Sequence, residues 1–163
     1  MDLVFHPLRT SRLDQLSSED EQMVLENARV LLEGEPSQVR SLLLGKNLGL
    51  LCENGDPPCL FRDAAEGLGA RVAHIRPSLS RASDPIVVRD TARILARLYD
   101  AVECRDVPAE LVRRIGHAAN VPVYDGISSP AHPTAALAGR LPDRSGASGR
   151  RSIVQALLLS TIG

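Results

Sequence analysis

Four short apolar runs, each separated from the next by a stretch with helical spacing, narrow the folds open to this 163-residue chain. Residues 48–52 (Leu-Gly-Leu-Leu-Cys) are apolar throughout, as a strand covered on both faces must be. Residues 71–75, 101–104 and 121–124 are the other three predicted strands. Between and after them, residues 61–68, 87–98, 109–118 and 134–141 have helical spacing, and Val88, Ala92 and Leu95 mark an inward face in the second of these. Strict alternation of this kind predicts an α/β fold: a single-domain, three-layer sandwich around a mainly parallel four-stranded sheet.

The flanks add detail. Ser18 and Glu21 have capping-box spacing ahead of Val24, Leu25, Ala28 and Leu31, so a helix is expected to begin there and to end at Gly34 and Pro36. Residues 53–60 and 77–85 are expected loops, rich in proline and polar groups. Residues 141–151 have linker composition. Beyond them Ile153, Val154, Ala156, Leu157, Leu158 and Ile162 form an apolar helix over 152–162, expected to pack back on the same domain.

Charge and composition exclude several classes. A net charge of −1 offers no field for nucleic acid or an anionic membrane, and Phe5, Phe61, Tyr99 and Tyr124 are too few for base stacking. Of 19 basic residues only Lys46 is lysine; the arginines are scattered, which suits a composition bias better than an anion-binding cluster. Cys52, Cys59 and Cys104 show no metal or disulfide spacing, and His6, His74 and His117 show none with one another. No cofactor and no metal are implied. Residues 1–6 lack signal-peptide character and no run has membrane-spanning length, so a cytoplasmic protein is expected.

Several segments carry a family resemblance. Residues 86–105 contain Asp90-Thr91-Ala92-Arg93 and Tyr99-Asp100-Ala101, closing on Arg105. Pro122-Val123-Tyr124-Asp125-Gly126 and His132-Pro133-Thr134 follow, and Leu44-Gly45-Lys46-Asn47-Leu48 and residues 61–69 precede in matching order. Together they resemble the aspartate and ornithine carbamoyltransferases. The resemblance implies a carbamoyl-phosphate-binding domain over 1–140, with 141–151 standing in place of the amino-acid domain. Residues 152–163 would be the family's returning C-terminal helix.

The same comparison implies degeneration. Family members bind phosphate with Ser-Thr-Arg-Thr-Arg, where this chain has Asp56-Pro57-Pro58-Cys59-Leu60. An aspartate opposes an anion, and two prolines remove backbone donors. The family's Gln after His-Pro-x is Ala135, and its following Asp is Gly139. Arg105 and His132 stand at the matching catalytic positions. Two readings of this pair remain: vestigial structure, with Arg105 paired to Asp106 or Glu103 and His132 capping a helix, or a surviving site for a small anionic or carbonyl ligand. Arg62 is either a substitute anion ligand beside Arg105 or a helix-surface arginine. Cys59 has no implied base to activate it. The chain is therefore expected to be a catalytically degenerate, oligomeric structural or regulatory protein, self-assembled as a trimer or bound to an intact carbamoyltransferase. The alternative is an enzyme with altered chemistry on a small carbamoyl- or phosphate-like substrate.

Overall fold

The computed structural model describes residues 2–10, 12–53, 59–76, 78–142 and 147–163. Four strands, β1 (Asn47–Leu51), β2 (Arg71–Ile75), β3 (Ala101–Cys104) and β4 (Val123–Asp125), form one sheet in the order β2-β1-β3-β4. Every pairing is parallel, with Leu48 opposite both Val72 and Ala101, and Val102 opposite Val123. The expected α/β sandwich is the fold.

Helices α1 (Ser18–Glu33), α3 (Leu60–Gly67) and α6 (Ala147–Ile162) cover one face, and α4 (Pro85–Leu98) and α5 (Ala109–Ala118) the other. A short helix α2 (Pro36–Val39) and a 3-10 helix, Pro133–Arg140, complete the described elements. The alternation of side chains along β1 and β3 explains the two cores. Leu48, Leu50 and Ala101 join Phe61, Leu25 and Leu157 on one side. Leu51, Val102 and Cys104 join Val88, Leu95, Leu111 and Ile115 on the other.

Local chemistry corrects three expected boundaries and sets the winding of one helix. The N-cap of α1 is Ser17, not Ser18: Ser17 is extended and its hydroxyl accepts from Asp20 N at 3.1 Å, which leaves Ser18 as the first helical residue. Helix α4 begins at Pro85, inside the expected loop, because Asp84 caps it by accepting from Ile86 N and proline is suited to the first helical position. Residues 121 and 122 precede β4, although Pro122 O still accepts from Val102 N. The helix expected over 134–141 is a 3-10 helix, Pro133–Arg140, a tighter winding than an α-helix.

Helix α6 starts five residues before 152, so part of the expected linker is helical. It packs on α1, α3 and the 3-10 helix, and Ile153, Val154, Ala156, Leu157 and Leu158 are all buried there. Gln155 Nε2 donates to Ala64 O, and Gly67 allows the approach, since a Cβ there would meet that nitrogen at 2.9 Å. The altered loop segment Asp56-Pro57-Pro58 and residues 143–146 lie outside the described residues. Among the described residues no helix is long and apolar enough to cross a membrane.

Candidate functional site

The site grows from one irregularity in β3. Its sequence, Ala-Val-Glu-Cys, places a carboxylate in an otherwise apolar central strand, and Glu103 is fully buried. A buried carboxylate persists only where donors replace water. Here the chain after β4 turns over it: Gly126 N donates to Oε1 at 2.8 Å, Ile127 N to Oε1 at 3.2 Å, and Ser128 N to Oε2 at 3.1 Å. The Ser128 hydroxyl adds a fourth bond at 3.0 Å. Gly126 takes φ +67, a conformation suited to glycine, and begins this turn. Burial outweighs the donors and pushes the Glu103 carboxyl up to about 7.

A cation holds the same turn from outside. One Arg150 amine on α6 donates to Ser128 O and to Ser129 O, each at 3.1 Å. The loop therefore has its amides fixed by a carboxylate and its carbonyls by a guanidinium. It delivers His132, whose backbone N donates to Ser129 O.

His132 caps the 3-10 helix: its Nδ1 accepts from Thr134 N at 3.2 Å and lies 2.8 Å from the Thr134 hydroxyl. Because Nδ1 accepts, the neutral ring carries its proton on Nε2. Burial lowers the His132 pKa, partly opposed by Asp14 and Asp125. At neutral pH the ring is thus an uncharged donor.

Arg105 follows β3, its backbone N donating to Leu51 O. Asp106 then adopts φ +55, a left-handed conformation that aspartate tolerates better than most residues. Among the described residues the Arg105 guanidinium makes no ion pair, with either Asp106 or Glu103. Arg105 and His132 line one cleft of about 1690 Å³, bounded by α5, residues 8–10 and 12–14, the loop after β4 and the end of α6.

Arg62 is not part of it. It lies at the opposite sheet edge, where Nη1 donates to Val72 O at 3.2 Å and sits 3.6 Å from Glu66. Cys59 is buried, as are Cys52 and Cys104. Burial, then Glu103 and Asp125, raise the Cys104 thiol and keep it protonated. No group of three or more His, Cys, Asp or Glu among the described residues could hold a metal. Sequence reasoning missed Glu103 and Arg150 as organisers of the site. The signal for the first was present, an acidic residue inside an apolar strand.

Parallel strands in the order 2-1-3-4, flanked by helices on both faces, define a doubly wound α/β domain, with polar side chains gathered beyond the ends of β3 and β4. Residues 10–141 match the aspartate/ornithine carbamoyltransferase carbamoyl-P binding domain. The catabolic ornithine carbamoyltransferase of Burkholderia mallei is 42% identical over 98 residues, 59% of this chain and 29% of that protein. Ornithine carbamoyltransferase from Pyrococcus furiosus superposes with a TM-score of 0.64 at 27% identity, over 86% of this chain and 45% of that one. The enzyme from Thermus thermophilus gives 0.58 at 29% identity, over 75% and 42%. The chain belongs to the aspartate/ornithine carbamoyltransferase family, through its carbamoyl-phosphate-binding domain. It matches less than half the length of these relatives.

Proposed function

We propose that this protein is a catalytically degenerate carbamoyltransferase relative that works by assembly, as a homo-oligomer of threefold symmetry. The observation that carries this reading is the outer face of α4. Ile86, Val87, Ile94 and Leu98 are 58%, 49%, 57% and 59% exposed. At 100° per residue, Val87, Ile94 and Leu98 fall on one line along the helix, about a third of a turn from the buried Val88, Ala92 and Leu95. Single exposed aliphatics are ordinary, whereas an aligned row of them marks a contact surface.

Degeneracy rests on residues. Ala135 and Gly139 replace a donor and a carboxylate that the family places after His-Pro-Thr, and residues 56–60 lack the family's phosphate arginines. Losing several charge-assisted hydrogen bonds, at roughly 1.5–3 kcal/mol each, removes carbamoyl phosphate affinity. Purified protein should give no product with carbamoyl phosphate and either ornithine or aspartate. Light scattering should report a trimer that Ile94→Asp reduces to monomer. A wild-type monomer at tens of micromolar would overturn self-assembly and leave a heteromeric partner, an intact carbamoyltransferase, as the reading to test by co-purification.

A second reading keeps chemistry in the cleft. Arg105, without an ion pair among the described residues, and the Nε2–H of a neutral His132 are suited to a small anionic or carbonyl ligand. Turnover or ligand binding lost on Arg105→Ala would favour it.

A further inference from the structure

Residues 2–10 cross the domain along α1 as a strap, and among the described residues no backbone–backbone bond ties them to the rest of the fold. Two buried side chains of α1 hold the strap instead. Asn27, fully buried, accepts from His6 N at its Oδ1 and donates to His6 O from its Nδ2, each at 2.9 Å. Asp20, also buried, accepts from Arg9 N at 3.0 Å. These two ties are seven residues apart on α1, about 10.5 Å of helix. Their partners on the strap are only three residues apart, so a nearly extended chain, at about 3.3 Å per residue, is needed to meet both. Helix α1 therefore measures out an extended backbone that runs opposite to its own direction.

The side chains along that backbone show what the furrow selects. Phe5 and Leu8 turn inward and pack on the core that α1 and α6 share, whereas Val4 is 66% exposed. His6 Nε2 lies 3.9 Å from Glu26, and Arg9 Nη1 lies 2.6 Å from Glu19. Glu19 and Glu26 share one line on α1, beside the line of Asp20 and Asn27. Arg29, the one basic residue of α1, is two positions from Asn27 and so falls on the far side of the helix. The other bank is α6, which Asn27 Nδ2 meets at Ser160 Oγ, 3.3 Å away. From Ser152 to Ile162 that helix has no charged side chain. The charges that meet the strap from the two helices are acidic.

An empty furrow would strand Asn27 and Asp20, since buried polar groups need partners. The strap satisfies them with main-chain groups that any extended chain carries. Its own sequence enters through Phe5, Leu8 and the basic residue that follows each. We infer that this furrow is a recognition site for an extended segment of a partner protein with the pattern apolar-basic-x-apolar-basic, and that residues 3–9 occupy it in the partner's absence. The partner's main chain takes the places of His6 at Asn27 and Arg9 at Asp20, and the exchange breaks no strand pairing. As it leaves, the strap also withdraws Leu8, Arg9 and Thr10 from the wall of the large cleft. The site goes beyond the assembly reading, which uses α4 on the other face of the sheet, so either can fail alone.

The test uses the full chain and a fluorescent peptide with the sequence of residues 2–10. A tethered strap competes with it at an effective concentration on the order of millimolar. Phe5→Asp in the chain loosens the strap and leaves the furrow intact, so it should tighten peptide binding at least tenfold over wild type. His6→Pro, which removes the donor to Asn27, should do the same. On either variant, a peptide carrying His6→Glu and Arg9→Glu should bind at least tenfold more weakly, and N-methylating the peptide's His6 nitrogen should abolish binding. Excess peptide should also speed hydrogen exchange at the wild-type chain's own His6 and Arg9 amides. Equal binding to wild type and both variants, indifference to the charge reversal, or no binding at millimolar peptide would overturn the proposal. So would wild-type dimers that excess peptide dissolves, which would make a second copy's strap the occupant.

Discussion

Ser128 meets Glu103 twice on the same oxygen, through its backbone N–H at 3.1 Å and its hydroxyl at 3.0 Å. The loop before His132 is thus clasped by a carboxylate whose pKa lies near neutrality. The folded value is raised, so Glu103 binds a proton in the fold that the unfolded chain releases above about 4.5. The linked stability is fully present below that point and is lost as pH rises through about 7. It amounts to on the order of 3 kcal/mol. Urea midpoints measured from pH 5 to pH 8 should fall for the wild type more steeply than for Glu103→Gln. Parallel slopes for the two proteins would contradict this.

Arg150→Ala should loosen the same loop from its outer side. The guanidinium donates to two carbonyls, and each charge-assisted bond at a half-exposed site contributes about 1 kcal/mol or slightly more. Hydrogen exchange at Gly126, Ile127 and Ser128 should accelerate several-fold, while amides in α4 and α5 stay unchanged. Uniform acceleration across the domain would mean that Arg150 stabilises the fold and not the loop in particular.

The sheet was legible because its signals are local. Leu48, Leu50 and Leu51 are apolar in sequence and buried in the fold, and the inward triad Val88, Ala92 and Leu95 follows from spacing alone. Asp84-Pro85 also carried a helix start that polar composition obscured. The loop clasp was not legible, because Glu103 and Ser128 are 25 residues apart and Arg150 lies 22 beyond Ser128. Only the parallel register of β3 and β4 brings them together. Arg105 and His132 share a cleft for the same reason, whereas Arg62 is carried to the far edge by α3.

Gly69→Ala should be costly at a position remote from the cleft. The residue has φ +94, and an added Cβ would fall 2.3 Å from Arg40 O. Strain in this region costs about 1–3 kcal/mol before the clash is relieved. The thermal unfolding midpoint should fall by several degrees at least, with the circular dichroism of the folded state unchanged below the transition. A neutral Gly69→Ala would show that the α2–β1 connection yields easily.

The last prediction concerns how α6 is fastened to the sheet. Tyr124 Oη lies 2.5 Å from Thr161 Oγ1, and Thr161 Oγ1 donates in turn to Leu157 O at 2.9 Å. Since the threonine proton is committed to its own helix, the tyrosine must be the donor. Tyr124 is buried, so Tyr124→Phe takes from Thr161 Oγ1 its bond to a buried hydroxyl. The expected loss is about 1 kcal/mol. Thr161→Val should cost a similar amount by stranding the tyrosine hydroxyl, and the double variant should recover part of the sum. A double-mutant cycle on urea unfolding gives the coupling directly. Strict additivity would mean that the two hydroxyls do not bond in solution, and α6 would then be held by its apolar face alone.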